Sequence, residues 1–227
     1  MTLQFVTIDK LSDRDLDSVV KIHTDSWLSI LQRELGTEER KAIEAEVRNQ
    51  YHSRREVFPE GQIAGFVAGV LIGSISSIAV NTETVDDLPH TYAEMTDRGY
   101  LRNHVPNGNT LVCPTVTVHE NFRGFGLAKD LVRAQARLAL ERDMDFLYAY
   151  SRPVGFRRFV ERHRETPIEA YVGLKRGSSL QDPVLGMHYD NGAHVARIIP
   201  DGRPADLDSR GHIVVMEYAK TRWNSVK

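Results

Sequence analysis

Residues 116–128 decide the fold of this chain, and they read VTVHENFRGFGLA. The β-branched residues of 110–119 predict a strand, and the apolar positions of 127–142 fall on one broad face of a helix. A glycine turn joins the two. The first amides of a helix lack internal partners, and glycine lets a ligand approach the backbone closely. This order predicts a phosphate site at the start of the helix, beside the positive end of its dipole.

Further strands and helices are predicted on both sides of this turn. Hydrophobic spacing predicts an edge strand over 3–9, a helix from Ser12 or Asp13, and a second helix over 37–51. The other predicted elements are a hairpin over 63–68 and 70–80, a short strand over 146–150, a short basic helix over 155–163, and late strands over 194–199 and 213–218. Residues 81–109 lose periodicity and predict an insertion that covers a site, and residues 187–194 are interpreted as turn-rich.

The composition is that of an ordinary globular protein. Of 227 residues, 41% are hydrophobic and 26% are charged. A chain of this length can bury one substantial core, so we expect one domain over 1–227. The formal net charge of -2 argues against a nucleic-acid partner. The longest apolar stretch, 63–80, is interrupted by glycines and serines, which argues against a membrane span.

The cysteine and histidine pattern points away from disulfides and metals. The single cysteine, Cys113, cannot form an intramolecular disulfide, and the N-terminus lacks the pattern of a secretory signal, so a cytoplasmic location is expected. The nine histidines show no ligand-like spacing, and no metal site is expected.

The spacing Arg123-x-x-Gly126-x-Ala128 resembles the Q/R-x-x-G-x-G/A signature of the GNAT acetyltransferase superfamily. The strand before the turn and the helix after it match as well, over about 110–160. The resemblance implies an α/β (α+β) GNAT fold, a mixed central β-sheet flanked by helices. Residues 81–109 would then be an insertion before the fourth strand, and about 167–227 an extended C-terminal part.

The resemblance also implies an acyl-CoA cofactor, with acetyl-CoA as the first choice. Pantetheine would lie along the strand, and the pyrophosphate would face the amides of the turn. The amide of Val118 is the expected donor to the thioester oxygen. The cofactor-binding residues expected on this basis are Val116, Thr117, Val118, Arg123, Gly124, Phe125, Gly126, Leu127 and Ala128.

The implied reaction is direct attack of a small-molecule primary amine on the thioester. One group must accept the proton of the amine, and another must protonate the leaving thiolate. The family often places a tyrosine on the helix after the fifth strand, but residues 155–160 read GFRRFV and contain none. The candidate catalytic residues are therefore His119 and Glu120 beside the turn, His188 in the turn-rich segment, and Tyr150 in the short strand, each of which also has an ordinary structural interpretation.

Acceptor specificity is expected in the insertion and the C-terminal part. The aromatic candidates there and on the first helix are Trp27, Tyr92, Tyr100 and His104. Arg152 follows the short strand, where GNAT chains splay two central strands apart. It is a candidate for binding a carboxylate on the acceptor or on a malonyl group, with a surface salt bridge as the alternative.

Two other functions stay open at this point. The missing helix tyrosine leaves room for a resemblance to GNAT-like polyketide loading domains, which decarboxylate malonyl-CoA and are linked to S-acyl transfer to a carrier protein. In that alternative Thr115 or Thr117 would lie near the thioester. A third alternative is a non-catalytic acyl-CoA-binding module. The sequence leaves the acceptor, the acyl chain and the oligomeric state open, including a homodimer.

Overall fold

The computed structural model describes residues 3–31, 35–164 and 166–223. The strands are β1 Leu3–Thr7, β2 Gln62–Val67, β3 Val70–Val80, β4 Thr110–Val118, β5 Phe146–Ser151, β6 Lys175–Arg176, β7 Ser179–Leu180, β8 Ala193–Ile199 and β9 Ile213–Tyr218. The helices are α1 Asp13–Leu31, α2 Thr37–Val57, α3 Tyr92–Met95, α4 Leu127–Glu141, α5 Phe156–His163, α6 Ile168–Val172, α7 Pro183–Asp190 and α8 Lys220–Trp223.

Seven of these strands form one mixed sheet in the order β1-β2-β3-β4-β5-β9-β8. The β4–β5 pair is parallel, and every other pair in this sheet is antiparallel. The α/β fold with helices flanking a mixed sheet is therefore confirmed. Within 3–31, 35–164 and 166–223, no helix is long and apolar enough to span a bilayer.

Most of the predicted elements are confirmed, with small shifts at their ends. The first helix begins where its cap was expected, because Ser12 Oγ accepts a hydrogen bond from the amide of Asp15 at 3.2 Å. The second helix continues six residues past its predicted end, to Val57. The hairpin turns at Ala68 and Gly69, which both have positive φ.

Two regions differ from expectation. The insertion 81–109 contains α3 and a short 3₁₀ turn, each started by a threonine capping box at Thr91 and Thr84. The turn-rich interpretation of 187–194 is wrong, because 187–190 belong to α7 and 193–194 to β8. Asp182 caps this helix by accepting from the amides of Val184 and Leu185 at 3.0 and 3.1 Å, and Pro183 starts it.

The sheet opens between its two parallel strands. Pairing of β4 with β5 runs from Thr110↔Phe146 to Cys113↔Ala149 and goes no further. The next residue on β4 is Pro114, which has no amide hydrogen to donate across the gap. At the same level β4 is bulged against β3, where the register shifts between Ser76 and Ile78. The two strands consequently diverge toward their C-terminal ends.

The bulge also redirects the side chains of β4. Leu111, Cys113, Val116 and Val118 all belong to or pack against the core beneath α4, although strict alternation would place the last two on the other face. Thr115 instead lies on the opposite face, where its hydroxyl contacts Tyr92 of α3. The strand therefore presents valines to one side of the opening and a threonine to the other.

Candidate active site

A cavity of about 910 Å³ occupies the opening between β4 and β5. Two parts of its lining are given names. The turn arm comprises Val116 to Val118 and the residues of 123–129 that line the cavity, and the arginine arm comprises Trp27, Thr115 and Arg203. This volume lies in the range of small-molecule and cofactor sites.

The turn arm presents unpaired backbone donors. Gly124 and Gly126 have φ of +86° and +81°, and Gly126 precedes the first residue of α4. Both values lie in the left-handed region that glycine adopts without strain. Among the backbone hydrogen bonds of the described residues, none is donated by the amides of 124–128, as expected for the first turn of a helix.

The space in front of this turn is open. A Cβ atom added at Gly124 or Gly126 would meet no atom within 4 Å, so the amides are not covered by protein. Phe125, between them, has 76% of its surface exposed and does not line the cavity with its side chain. The arrangement fits a diphosphate, which accepts several hydrogen bonds and is favoured by the positive end of the helix dipole.

The end of β4 adds donors to the same arm. The amide of His119 donates to Ile72 of β3 at 2.9 Å, and amides alternate in direction along a strand. The amides of Val118 and Val116 therefore face away from β3, toward the gap. The Arg123 Nε donates to the Val118 carbonyl at 3.3 Å and ties the turn to the end of the strand.

Helix α7 closes the turn arm from the other side. Asp190 accepts from Lys129 Nζ at 3.0 Å, and Asn191 joins α7 to α4 through its contacts with Lys129 and Arg133. Residues of α7 line the cavity, whereas those of α5 do not, among the positions that the structure describes. The Asp182-Pro183 pair was a sequence signal for α7.

His188 of α7 lines the cavity and is buried, with 2% of its surface exposed. Its Nδ1 is hydrogen-bonded to the hydroxyl of Tyr218 on β9. Burial lowers the pKa of His188 to about 4 and raises the pKa of Tyr218 well above its usual value. At neutral pH both groups are therefore uncharged, and the imidazole carries one protonated and one unprotonated ring nitrogen.

The other three catalytic candidates occupy different positions. His119 Nδ1 accepts from the amide of Asn121 at 3.2 Å and caps a short turn, and Glu120 is exposed. Neither is among the described residues that line the cavity. Tyr150 does line it, but its hydroxyl donates to the carbonyl of Pro89 at 2.6 Å, and burial raises its pKa.

Cys113 also lines the cavity, at the level where the strands part. Burial raises the pKa of its thiol far above the ordinary value. A buried thiol that stays protonated is a poor nucleophile. The thiol of Cys113 is therefore not available as a thiolate nucleophile.

The arginine arm is built from distant parts of the chain. The Cζ of Arg203 lies 3.7 Å from the ring centroid of Tyr92 and 4.0 Å from that of Trp27. The Tyr92 hydroxyl is 2.9 Å from Thr115 Oγ1. Trp27 and Tyr92, two of the four aromatic candidates for acceptor recognition, are thus brought together by Arg203.

The other two aromatic candidates lie away from this arm. The hydroxyl of Tyr100 donates to Glu46 at 2.9 Å. His104 stacks on Phe58, with ring centroids 4.2 Å apart, and accepts from the amide of Ala79. Neither is among the described residues lining the cavity.

The two arginines near this arm differ in their partners. Arg152, expected as a carboxylate-binding candidate, forms two hydrogen bonds of 2.5 Å to the buried carboxylate of Asp206. Burial alone would raise the pKa of Asp206, but the hydrogen bonds and charge of Arg152 lower it. The guanidinium of Arg152 is therefore already occupied. Arg203, to which sequence reasoning gave no role, has a buried Nη2 without a hydrogen-bond partner in the described structure.

A mixed sheet that splits between two parallel central strands, beside a glycine turn that opens a helix, is the architecture expected of acyl-CoA-dependent transferases of the GNAT type. No family model matches the chain. Among curated proteins, it is 28% identical over 221 residues to "Probable hydrolase YhcX" of Bacillus subtilis, covering 97% of this chain and 39% of that protein. It is 25% identical over 213 residues to "Uncharacterized N-acetyltransferase YkwB" of the same organism, covering 94% and 88%.

Solved structures show the same fold. The chain is similar to the loading GNATL domain of CurA from Lyngbya majuscula, with a TM-score of 0.75, 17% identity and coverage of 97% and 99%. It is also similar to the GphF GNAT-like decarboxylase in complex with isobutyryl-CoA, with a TM-score of 0.64, 21% identity and coverage of 97% and 100%. The chain has the GNAT fold, and the resemblance predicted from residues 123–128 is confirmed.

Proposed function

We propose that the chain binds an acyl-CoA and transfers its acyl group, acetyl in the simplest case, to a primary amine of a small molecule. The observation that carries this proposal is the row of unpaired amides at 124–128, which opens into the cavity between β4 and β5. The bound isobutyryl-CoA of GphF supports acyl-CoA as the ligand class. Bound in this cavity, an acyl-CoA would supply an activated thioester.

The chain's own groups would bind and polarise that thioester. The amides of 124–128 would hold the diphosphate, and the gap-facing amides of Val116 and Val118 would hydrogen-bond the pantetheine and the thioester oxygen. A fixed donor at the thioester oxygen stabilises the negative charge that develops there during attack.

His188 is the catalytic candidate best placed to contact the leaving thiolate. With Tyr218 donating to Nδ1, the neutral imidazole would present Nε2–H and would stabilise a leaving thiolate by a hydrogen bond from the wall of the cavity, without giving up that proton. His119 and Glu120 would act only through water, because they lie outside the lining, and Tyr150 would have to release Pro89 first.

Free thiol release from acetyl-CoA in the presence of an amine panel tests this proposal. Thiol release that depends on an amine, with the acetylated amine detected by mass spectrometry, is the expected result. Tight binding of acetyl-CoA without turnover on any amine would contradict the transferase and favour the non-catalytic binding module.

Decarboxylation of malonyl-CoA, with transfer to a carrier protein, is a second candidate reaction. It is favoured by the cationic Arg203 and the hydroxyl of Thr115 on one wall of the cavity, and by the similar structures, one named as a loading domain and one as a decarboxylase. Release of carbon dioxide from malonyl-CoA without an amine would support this reaction, and its absence would leave amine acylation.

A further inference from the structure

The arginine arm contains a cation without a counter-ion. Among the described residues, no carboxylate lies within 4.0 Å of the Arg203 guanidinium. Its Nη2 has no hydrogen-bond partner and is shielded from solvent. A buried donor on a charged group costs free energy when it stays unpaired. This cost is removed when an anion enters the cavity.

The neighbouring charges do not supply that anion. Asp206 is committed to Arg152 by two hydrogen bonds, and Asp208 contacts Arg157 at 3.0 Å. A further buried cation, Arg54, donates to Ser76 and to the carbonyl of Gly99. The positive potential on this side of the cavity lowers the pKa of His23 after the larger effect of burial. The region therefore attracts a negative group.

The rings fix the direction in which Arg203 can bind. Trp27 and Tyr92 lie against the guanidinium, so its polar edge is the part left for hydrogen bonds. Tyr92 is itself held by Thr115 on β4. A guanidinium edge of this kind matches the two oxygens of a carboxylate.

We propose that the arginine arm binds a carboxylate of the substrate through Arg203, so that the enzyme acts on carboxylate-bearing molecules. This inference rests on the proposed function, because the carboxylate sits in the same cavity as the acyl group. The carboxylate has two sources: an amine acceptor of the amino-acid type, or the acyl group of a dicarboxylic thioester such as malonyl-CoA.

One experiment distinguishes the two sources. In its first part, acetyl-CoA is offered with amino acids and with their carboxamides, and kcat/KM is measured for each. In its second part, the Kd values of acetyl-CoA and malonyl-CoA are compared by calorimetry. We expect the carboxylate form to be preferred by about tenfold or more in one of the two parts. The part that shows the preference identifies the source.

The variant Arg203→Gln tests whether Arg203 causes the preference for the carboxylate form. The variant keeps a hydrogen-bonding side chain and removes the charge, so we expect it to abolish the preference. The kcat/KM of the carboxamide, or the Kd of acetyl-CoA, should change by less than about threefold. The matched control is Arg197→Gln, because Arg197 is an arginine whose guanidinium donates to the carbonyls of Val85 and Leu88 and which is not among the described residues lining the cavity. This control is expected to retain the preference.

Several results would overturn the inference, and they are separable from failure of the proposed function. Equal use of carboxylates and carboxamides, together with equal affinity for acetyl-CoA and malonyl-CoA, would refute it even if acetyl-CoA binds and turns over. An equal loss in Arg203→Gln and Arg197→Gln, or a loss for neutral and anionic substrates alike, would also refute it. Failure of wild-type protein to bind any acyl-CoA would instead refute the proposed function.

Discussion

The two arms of the cavity bind through different parts of the chain. The turn arm offers main-chain amides at 124–128, held in place by two glycines with positive φ and by the start of α4. The arginine arm offers one charged side chain, Arg203, held against Trp27 and Tyr92. One arm is therefore specified by backbone conformation within a few residues, and the other by side chains that three distant segments bring together.

This difference determines which substitutions matter in each arm. Residues 123–126 of the glycine turn are exposed, so most substitutions of their side chains leave the amides in place. The glycines are the exception, because the left-handed conformation strains other residues. In the arginine arm the reverse holds, and changes to side-chain hydrogen bonds or charges alter the site directly.

The largest effect is expected for Gly126→Glu. The new carboxylate would stand in the open space in front of the amides, where it repels a diphosphate, and the positive φ would be strained. We expect acetyl-CoA affinity to fall at least about 1000-fold, which is about 4 kcal/mol, in a chain that remains folded. Calorimetry and circular dichroism measure the two quantities.

Gly69→Glu is the control for this variant. Gly69 has φ of +76° in the β2–β3 turn and open space around it, as Gly126 has, but it lies outside the cavity. It should carry similar backbone strain and bind acetyl-CoA like the wild type. Equal affinity losses in both variants would assign the effect to folding, and an unchanged affinity in Gly126→Glu would remove the turn from the site.

The next effect concerns the ion pair beneath the arginine arm. Asp206→Asn would leave Arg152 with a neutral partner in a site where the aspartate is 1% exposed. Removing one partner of a buried pair costs about 3 kcal/mol in unfolding free energy, measured by urea denaturation. Asp130→Asn, which breaks the exposed pair with Arg133, should cost under about 1 kcal/mol. Comparable losses in the two would contradict the structural role of Asp206.

A smaller effect is expected from the pH dependence of stability. The pKa of His188 is about 4 in the folded chain, below the ordinary value of 6.5. Between these values the unfolded chain binds a proton that the folded chain does not, so stability falls as the pH falls through this window. From pH 7 to pH 5 this loss is about 2 kcal/mol.

A His188→Gln variant isolates that contribution. The variant should lose about 2 kcal/mol less than the wild type between pH 7 and pH 5, as measured by denaturation at both pH values. His52→Gln, at an exposed position on α2, serves as the control and should keep the wild-type dependence. A His188→Gln protein with the wild-type pH dependence would contradict a buried neutral histidine.

The smallest effect is expected for Tyr92→Phe. This change removes the hydroxyl that bonds Thr115 and leaves the ring against Arg203. We expect kcat/KM for the preferred carboxylate substrate to fall about fivefold, or about 1 kcal/mol. Tyr100→Phe removes a hydroxyl bonded to Glu46 outside the cavity and should have no such effect. An unchanged kcat/KM in Tyr92→Phe would show that the hydrogen bond to Thr115 does not contribute to the function of the arginine arm.

The contrast between the arms also explains what the sequence could predict. Residues 116–128 were predictable because strand, glycine turn and helix are local patterns. Helix α7 was missed, since its apolar residues show no clear helical period, although Asp182 and Pro183 mark its start. Arg203 was not predictable, because it lies in a loop containing glycine and prolines. Its role depends on contacts with Trp27 of α1 and Tyr92 of α3, which are distant in the sequence.

Nearness in the sequence was a poor guide to the catalytic candidates. His119 and Glu120 follow the central strand directly, yet the chain turns at that point and uses His119 to cap the turn. His188 is far from the glycine turn in sequence, but α7 packs against α4 and brings it to the cavity wall.

A structure of the wild-type chain crystallised with coenzyme A tests the central claim most directly. The account predicts that the diphosphate oxygens accept hydrogen bonds from the amides of 124–128, with the pantetheine between β4 and β5. A diphosphate bound at any other surface, with these amides still facing empty space, would contradict it.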